Sequence, residues 1–98
     1  MGILYVISHS PFKRRDSVFH VRMAQKGDAI IFIQNGVVAA KACPPEYKKD
    51  CEEAEARGVK LYFLKEDLIA RGIKIEGKET VDYDGFLDLI EKMDRVVH

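Results

Sequence analysis

The sequence predicts an α/β fold, a single-domain three-layer α/β/α sandwich around a mostly parallel sheet of four to five strands. Three observations carry that prediction. The runs Ile3–Ile7, Ala29–Ile33 and Leu61–Leu64 are too short and too continuously apolar for half-exposed helices, so they read as strands buried on both faces. Segments with helix start and stop signals lie between them, so strand and helix alternate. Over 98 residues no linker is long enough to divide the chain, and no internal repeat or low-complexity tract interrupts it.

Each element has a local cause. Ser10-Pro11 breaks the first strand, and Asp16 or Ser17 can cap a helix running to about Lys26. Gly27-Asp28 ends that helix, and Ala29–Ile33 forms the second strand. Gln34-Asn35-Gly36 follows as a polar turn whose residues tolerate positive φ. Val37–Ala42 fits either a short helix or an irregular connector. Pro44-Pro45 with Glu46 opens a helix that continues to Arg57-Gly58, with Tyr47, Cys51 and Ala54 on one apolar stripe. Leu61–Leu64 then turns abruptly into an acidic helix start at Glu66-Asp67, and Arg71-Gly72 closes that short helix with a cation and a glycine. Glu79–Asp82 offers a fourth strand around Thr80-Val81. A last helix, about Tyr83–Met93, is expected to present Phe86, Leu87, Ile90 and Met93 on one face.

Composition limits the function classes. Sixteen basic and sixteen acidic side chains cancel and the pI is near 6.8, so the chain lacks the footprint of a nucleic-acid binder. Lys13-Arg14-Arg15 reads as a solvated turn. No apolar run approaches the roughly 20 residues of a membrane span. The opening MGILYVISHS has neither a positive leader nor a small-residue cleavage site, so it reads as a strand and not a signal peptide. Two cysteines indicate no disulfide framework, and a reducing cytoplasm is the expected compartment. A domain this small buries a modest share of its surface and gains from association.

The chemistry-bearing residues are few. His9, His20, His98, Cys43 and Cys51 show no metal-ligand spacing, so no metal is expected. SHSPFKRR after the first strand and QNGVV after the second lack the glycine patterns that close a backbone on phosphate, and no cofactor is expected. Cys43 precedes two prolines at a helix start, where the positive end of the dipole favours a thiolate; it is either a sulfur acceptor or an ordinary loop thiol. Cys51 reads as a packed core thiol. Glu66 and Asp67 are adjacent on a helix and point in different directions, which argues against a paired acid and base.

Taken together, Ser10-Pro11 after the first strand, Gly27-Asp28 before an apolar strand, Gln34-x-Gly36-Val37-x-Ala39-Ala40, Glu66-Asp67-Leu68-x-Ala70-Arg71-Gly72 and Val81-Asp82-Tyr83-x-x-Phe86 resemble the TusB/DsrH family of sulfur-relay proteins. The likeness covers nearly the whole chain, in order. It implies a DsrE-like fold and a hetero-oligomer with TusC/DsrF-like and TusD/DsrE-like subunits, or self-association. It also implies passage of persulfide sulfur, toward 2-thiouridine at the tRNA wobble position or in dissimilatory sulfur oxidation. In TusD/DsrE-like subunits a cysteine ends the third strand, a position corresponding here to about Leu64 or Lys65. Some DsrH-like members carry one in the first helix instead, matching His20. Neither place holds a thiol here. The resemblance thus implies an accessory subunit without direct nucleic-acid contact. The polar groups expected at the sheet's carboxyl edge, His9, Ser10, Gln34, Asn35, Glu66 and Asp67, are the expected partner contacts. Two alternatives stand beside this one: a stand-alone sulfurtransferase using Cys43, and a small-ligand-binding homo-oligomer.

Overall fold

The computed structural model describes residues 2–10, 17–42, 44–74 and 77–97. Five strands form one sheet: β1 (Ile3–Ile7), β2 (Ala29–Phe32), β3 (Lys60–Leu64), β4 (Thr80–Val81) and β5 (Arg95–Val97). Their spatial order is β4-β3-β2-β1-β5, and every pairing is parallel. The helices are α1 (Ser17–Met23), α2 (Pro45–Ala56), α3 (Lys65–Ala70) and α4 (Tyr83–Lys92), with a 3-10 helix over Gln34–Ala40.

The central position of β2 follows from its composition. Ala-Ile-Ile-Phe carries no polar side chain, and all four residues are buried. Ile30 and Phe32 face one layer with Tyr5, Ile7 and Phe63, whereas Ala29 and Ile31 face the other with Leu4 and Val6. The rings of Phe32 and Phe63 stack at 4.8 Å across the β2–β3 pair, a contact worth about 1 kcal/mol beyond its burial.

Handedness decides which face each helix covers. The chain steps from β1 to β4 in one direction across the sheet, so right-handed crossovers put α1, α2 and α3 on the same face. The return from β4 to β5 reverses direction and puts α4 on the other. One layer is therefore filled by Val21, Ala24, Tyr47, Ala54 and Leu68, and, among the described residues, the opposite layer by Phe86 and Leu89 of α4 and by Met93, which caps its end.

Most element boundaries match the sequence expectations, and the departures have physical causes. The first helix ends at Met23 and not near Lys26, because a cation from elsewhere caps it. Arg57 Nη2 donates to the carbonyls of Val21 and Ala24 at 3.0 and 2.9 Å, satisfying the helix C-terminus. Gly27 then turns the chain at φ 98°. Asp28 joins the turn to the sheet, its two carboxylate oxygens accepting from the Ile3 and Gln25 N–H groups, both at 2.9 Å. The ambiguous Val37–Ala42 stretch belongs largely to the 3-10 helix, which begins earlier than expected and absorbs the Gln34-Asn35-Gly36 turn. On α4 the expected face is corrected: Leu89 packs inward with Phe86 and Met93, while Leu87 is 57% exposed and Ile90 37%. A helix lying on a sheet buries only an arc of its circumference, and periodicity alone leaves the centre of that arc open by one row. The fifth strand, Arg95–Val97, is three residues long and takes its identity from pairing with Ile3–Tyr5.

Pro11, the Lys13-Arg14-Arg15 cluster, the Asp16 cap, Cys43 and His98 lie outside the described residues. Among the described residues no helix is long and apolar enough to cross a membrane.

Two tests follow from the packing. A Cβ at Gly36 would collide with the Ile7 carbonyl oxygen, so Gly36→Ala is expected to lower unfolding free energy by about 1–3 kcal/mol, read by urea denaturation. Burial raises the Tyr5 hydroxyl above its ordinary value near 10, with the Asp28 charge adding and Arg95 opposing; burial and then Glu79 raise Tyr62. The folded state thus holds these protons more tightly than the unfolded chain. Stability is expected to be insensitive to them below pH ~10 and to fall above it, and Tyr5→Phe with Tyr62→Phe should flatten that alkaline loss in melts taken across pH 8–11.

Candidate functional site at the carboxyl edge

Because the strands are parallel, their carboxyl ends lie along one edge, and the segments after β1, β2 and β3 meet there. The Ile33 N–H donates to the Ile7 carbonyl at 2.9 Å, and the Gly36 N–H donates to the Ile33 carbonyl at 2.8 Å. Between them Gln34 holds φ at 50°, a left-handed conformation that costs a residue with a Cβ about 1 kcal/mol.

That corner is held from α3. The Gln34 N–H donates to Asp67 Oδ2 at 2.6 Å. Asp67 Oδ1 accepts from Arg71 Nη1 at 3.4 Å, one turn further along the same helix. The other side of the guanidinium, Nη2 and Nε, donates to Asn35 Oδ1 at 3.1 and 3.3 Å. Gln34, Asn35, Asp67 and Arg71 therefore form one closed network across the β2 and β3 exits. Asp67 is half-buried, so its charge-assisted bonds act in a less aqueous setting than a surface pair would.

Glu66 faces elsewhere, as two successive helical residues must. Its Oε2 accepts from the Tyr83 N–H at 3.2 Å, tethering the start of α4 to the start of α3. Its Oε1 is buried and has no hydrogen-bond partner among the described residues. Asp82 completes the α4 start, its Oδ1 accepting from the Gly85 N–H at 2.8 Å. The two carboxylates that sequence reasoning declined to pair are thus each engaged with a different backbone amide.

His9 and Ser10 follow β1 on this same edge, His9 exposed and Ser10 half-buried; His9 stands apart from the Gln34–Asp67–Arg71 network. Of the six expected contacts, Gln34, Asn35 and Asp67 come together directly, and Glu66 reaches across to α4. Arg71 is the member that sequence reasoning missed, having been assigned only to close its helix. Its spacing of four from Asp67 was the available signal.

The junction after β3 is as informative for what fills it. Leu64 is 2% exposed and flanks α3 as its N-cap, and Lys65 is exposed. His20, the other position discussed above, stacks its ring on Tyr5 at 5.4 Å, with Nδ1 buried and unpartnered among the described residues. Cys51 is half-buried on α2 and packs against the core beside Tyr47 and Ala54. It also lines a depression of about 320 Å3 whose floor includes Phe32 and Phe63. No three His, Cys, Asp or Glu side chains gather to hold a metal ion among the described residues.

A parallel five-stranded sheet with helices on both faces and a polar rim at its carboxyl edge defines an α/β protein of the doubly wound kind. Residues 9–96 match the family model described as DsrH like protein, and the chain belongs to the DsrH family. It is 35% identical over 95 residues to Protein TusB of Photorhabdus laumondii, covering 92% of this chain and 93% of that protein. It is 33% identical over 93 residues to Protein TusB of Yersinia pestis strain Pestoides F, with 89% and 90% covered. Among solved structures it resembles Protein Tm0979 from Thermotoga maritima, with a TM-score of 0.66, 28% identity and 92% of each chain covered.

The network makes opposite predictions for two substitutions at one corner. Asp67→Ala strands the Gln34 amide and is expected to cost about 1–3 kcal/mol of unfolding free energy. Gln34→Gly keeps that amide and relieves the left-handed strain, so it is expected to leave stability unchanged or raise it by up to about 1 kcal/mol. Urea midpoints of the two variants should move in different directions or by clearly different amounts.

Proposed function

We propose that this chain is a non-catalytic subunit of a sulfur-relay complex, packing through its carboxyl edge against thiol-bearing subunits of TusC/DsrF-like and TusD/DsrE-like type. Membership of the DsrH family supports a sulfur-relay role at the level of the family. The observation that carries the accessory role is the filling of the β3–α3 junction by a buried Leu64 and an exposed Lys65, neither of which can bond sulfane sulfur. The rest of the edge supports docking. Its amides, carboxylates and guanidinium are held by one another, so a partner meets a preorganised polar rim at little ordering cost.

Sulfur chemistry then belongs to the partner. The thiolate that accepts and releases sulfur is supplied in trans, and this chain completes the surface around it. The end use we favour is 2-thiouridine formation at the tRNA wobble position, in the cytoplasm, without direct contact between this chain and RNA; the near-neutral charge balance is consistent with that.

The test is co-purification followed by sulfur transfer. Tagged chain, expressed with its paralogous DsrE-like and DsrF-like subunits, is expected to recover both in a defined assembly, and Glu66→Ala with Gln34→Ala should weaken it. After incubation with a cysteine desulfurase and cysteine, intact mass is expected to place the added sulfur on a partner thiol. Cys43→Ser and Cys51→Ser are expected to leave transfer unchanged. An adduct on this chain that vanishes in Cys43→Ser would establish the stand-alone sulfurtransferase instead.

A further inference from the structure

The helix that covers one sheet face by itself also leaves an apolar row in solvent. Tyr83, Leu87 and Ile90 recur at i, i+4 and i+7 along α4 and are 54%, 57% and 37% exposed. They are not the residues that hold the helix down; Phe86, Leu89 and Met93 do that. Leu89, Lys92 and Met93 line a depression with Ala29 and Tyr62, on the β2–β3 side of the helix. By helical geometry the Tyr83–Leu87–Ile90 row then occupies the other flank, toward β1 and β5. On that side β5 presents Val96, which pairs with Leu4, shares the sheet face with α4 and is 40% exposed. An aromatic, two large aliphatics and a strand valine thus share one side of the molecule.

The next row of α4 toward solvent is acidic. Asp84, Asp88 and Glu91 are exposed, and none of them is engaged by a cation among the described residues. The helix has one basic residue, Lys92, and it lies on the far flank beside the depression. Among the described residues the apolar row is therefore bordered by sheet on one side and by carboxylates without a cation partner on the other.

This border selects the occupant. A second copy joined about a twofold axis running across α4, so that the two helices lie antiparallel, would bring Asp84, Asp88 and Glu91 against the same three carboxylates, which is unfavourable in a self-complementary contact. A different chain with apolar side chains bordered by Lys or Arg meets both rows at once, with the exposed Tyr83 ring as the kind of anchor that interfaces favour. We infer that the Tyr83–Leu87–Ile90 flank of α4, with Val96, is a second docking surface, taking a basic-bordered apolar face of a non-identical subunit in the same relay assembly. The inference rests on the sulfur-relay reading above and adds to it a surface distinct from the carboxyl-edge rim.

The experiment titrates the full chain with its paralogous DsrE-like and DsrF-like subunits, by calorimetry at low and high salt. Wild type is compared with Leu87→Ser/Ile90→Ser and with Asp84→Lys/Asp88→Lys. All four positions are exposed, and melting curves verify that both variants stay folded. The apolar pair is expected to weaken binding to one subunit by roughly 30-fold or more. The charge-reversed pair is expected to weaken it by about tenfold at low salt, the difference shrinking as salt rises. Unchanged affinity in both variants, with wild type binding normally, overturns the surface and leaves the relay reading standing. Wild type that binds neither subunit overturns both. Loss with the apolar pair but none with the charge-reversed pair overturns the basic-bordered occupant, as does a self-dimer of the lone chain that Leu87→Ser/Ile90→Ser dissolves.

Discussion

A sheet made only of parallel strands must be covered on both faces, and this chain meets that requirement unequally. Alternate residues of β1 and β2 point to opposite layers, and both layers are dry: Leu4, Ile30, Ile31 and Phe32 have no exposed surface. On one face the crossovers supply three helices and the 3-10 turn. On the other the return stroke to β5 supplies α4 alone. The parallel arrangement also gathers the strand exits at a single edge, so the same constraint that builds the core collects the polar rim.

The rim is built from tertiary hydrogen bonds and not from local motifs. Asp67 holds an amide 33 positions away, and Arg71 holds an amide oxygen 36 positions away. A strained Gln34 sits at the meeting point, stabilised by the carboxylate beneath it. Strained backbone fixed by surrounding structure is a usual mark of surfaces that must present one shape. What the rim lacks, at the turn out of β3, is a thiol; a leucine is packed there and a lysine follows it. The accessory role proposed above rests on that filling.

The helices on the two faces of the sheet are held in different ways. Helices α1 and α2 are locked to each other, with Arg57 capping α1 and Arg22 bonded to Asp50 at 3.1 Å. Helix α4 is tied at its ends, by Glu66 at the first turn and by the Asp94–Gly2 backbone pair after the last. Among the described residues its flank carries the largest run of exposed apolar side chains on any helix. The docking surface inferred above therefore lies on a helix held at both ends.

Read alone, the amino-acid sequence determined the strands β1, β2 and β3, the positions of the helices, the charge balance and the missing thiol after β3. These depend on continuous apolar runs, prolines, caps and glycines, whose influence extends over a few neighbouring residues. Gly27, Gly58 and Gly72 turn the chain at positive φ where such signals ended the helices. The tertiary structure alone decided the early end of α1, the inward row of α4, the existence of β5 and the partners of Glu66 and Asp67. Each of these is fixed by a group brought in from a distant segment: a guanidinium from the end of α2, the apolar sheet face of Leu4, Val6, Ala29 and Ile31 beneath α4, the open edge of β1, and the amides of Tyr83 and Gln34. Local propensity has no knowledge of such groups until the chain has closed on itself, because the bonds that settle them exist only in the folded arrangement.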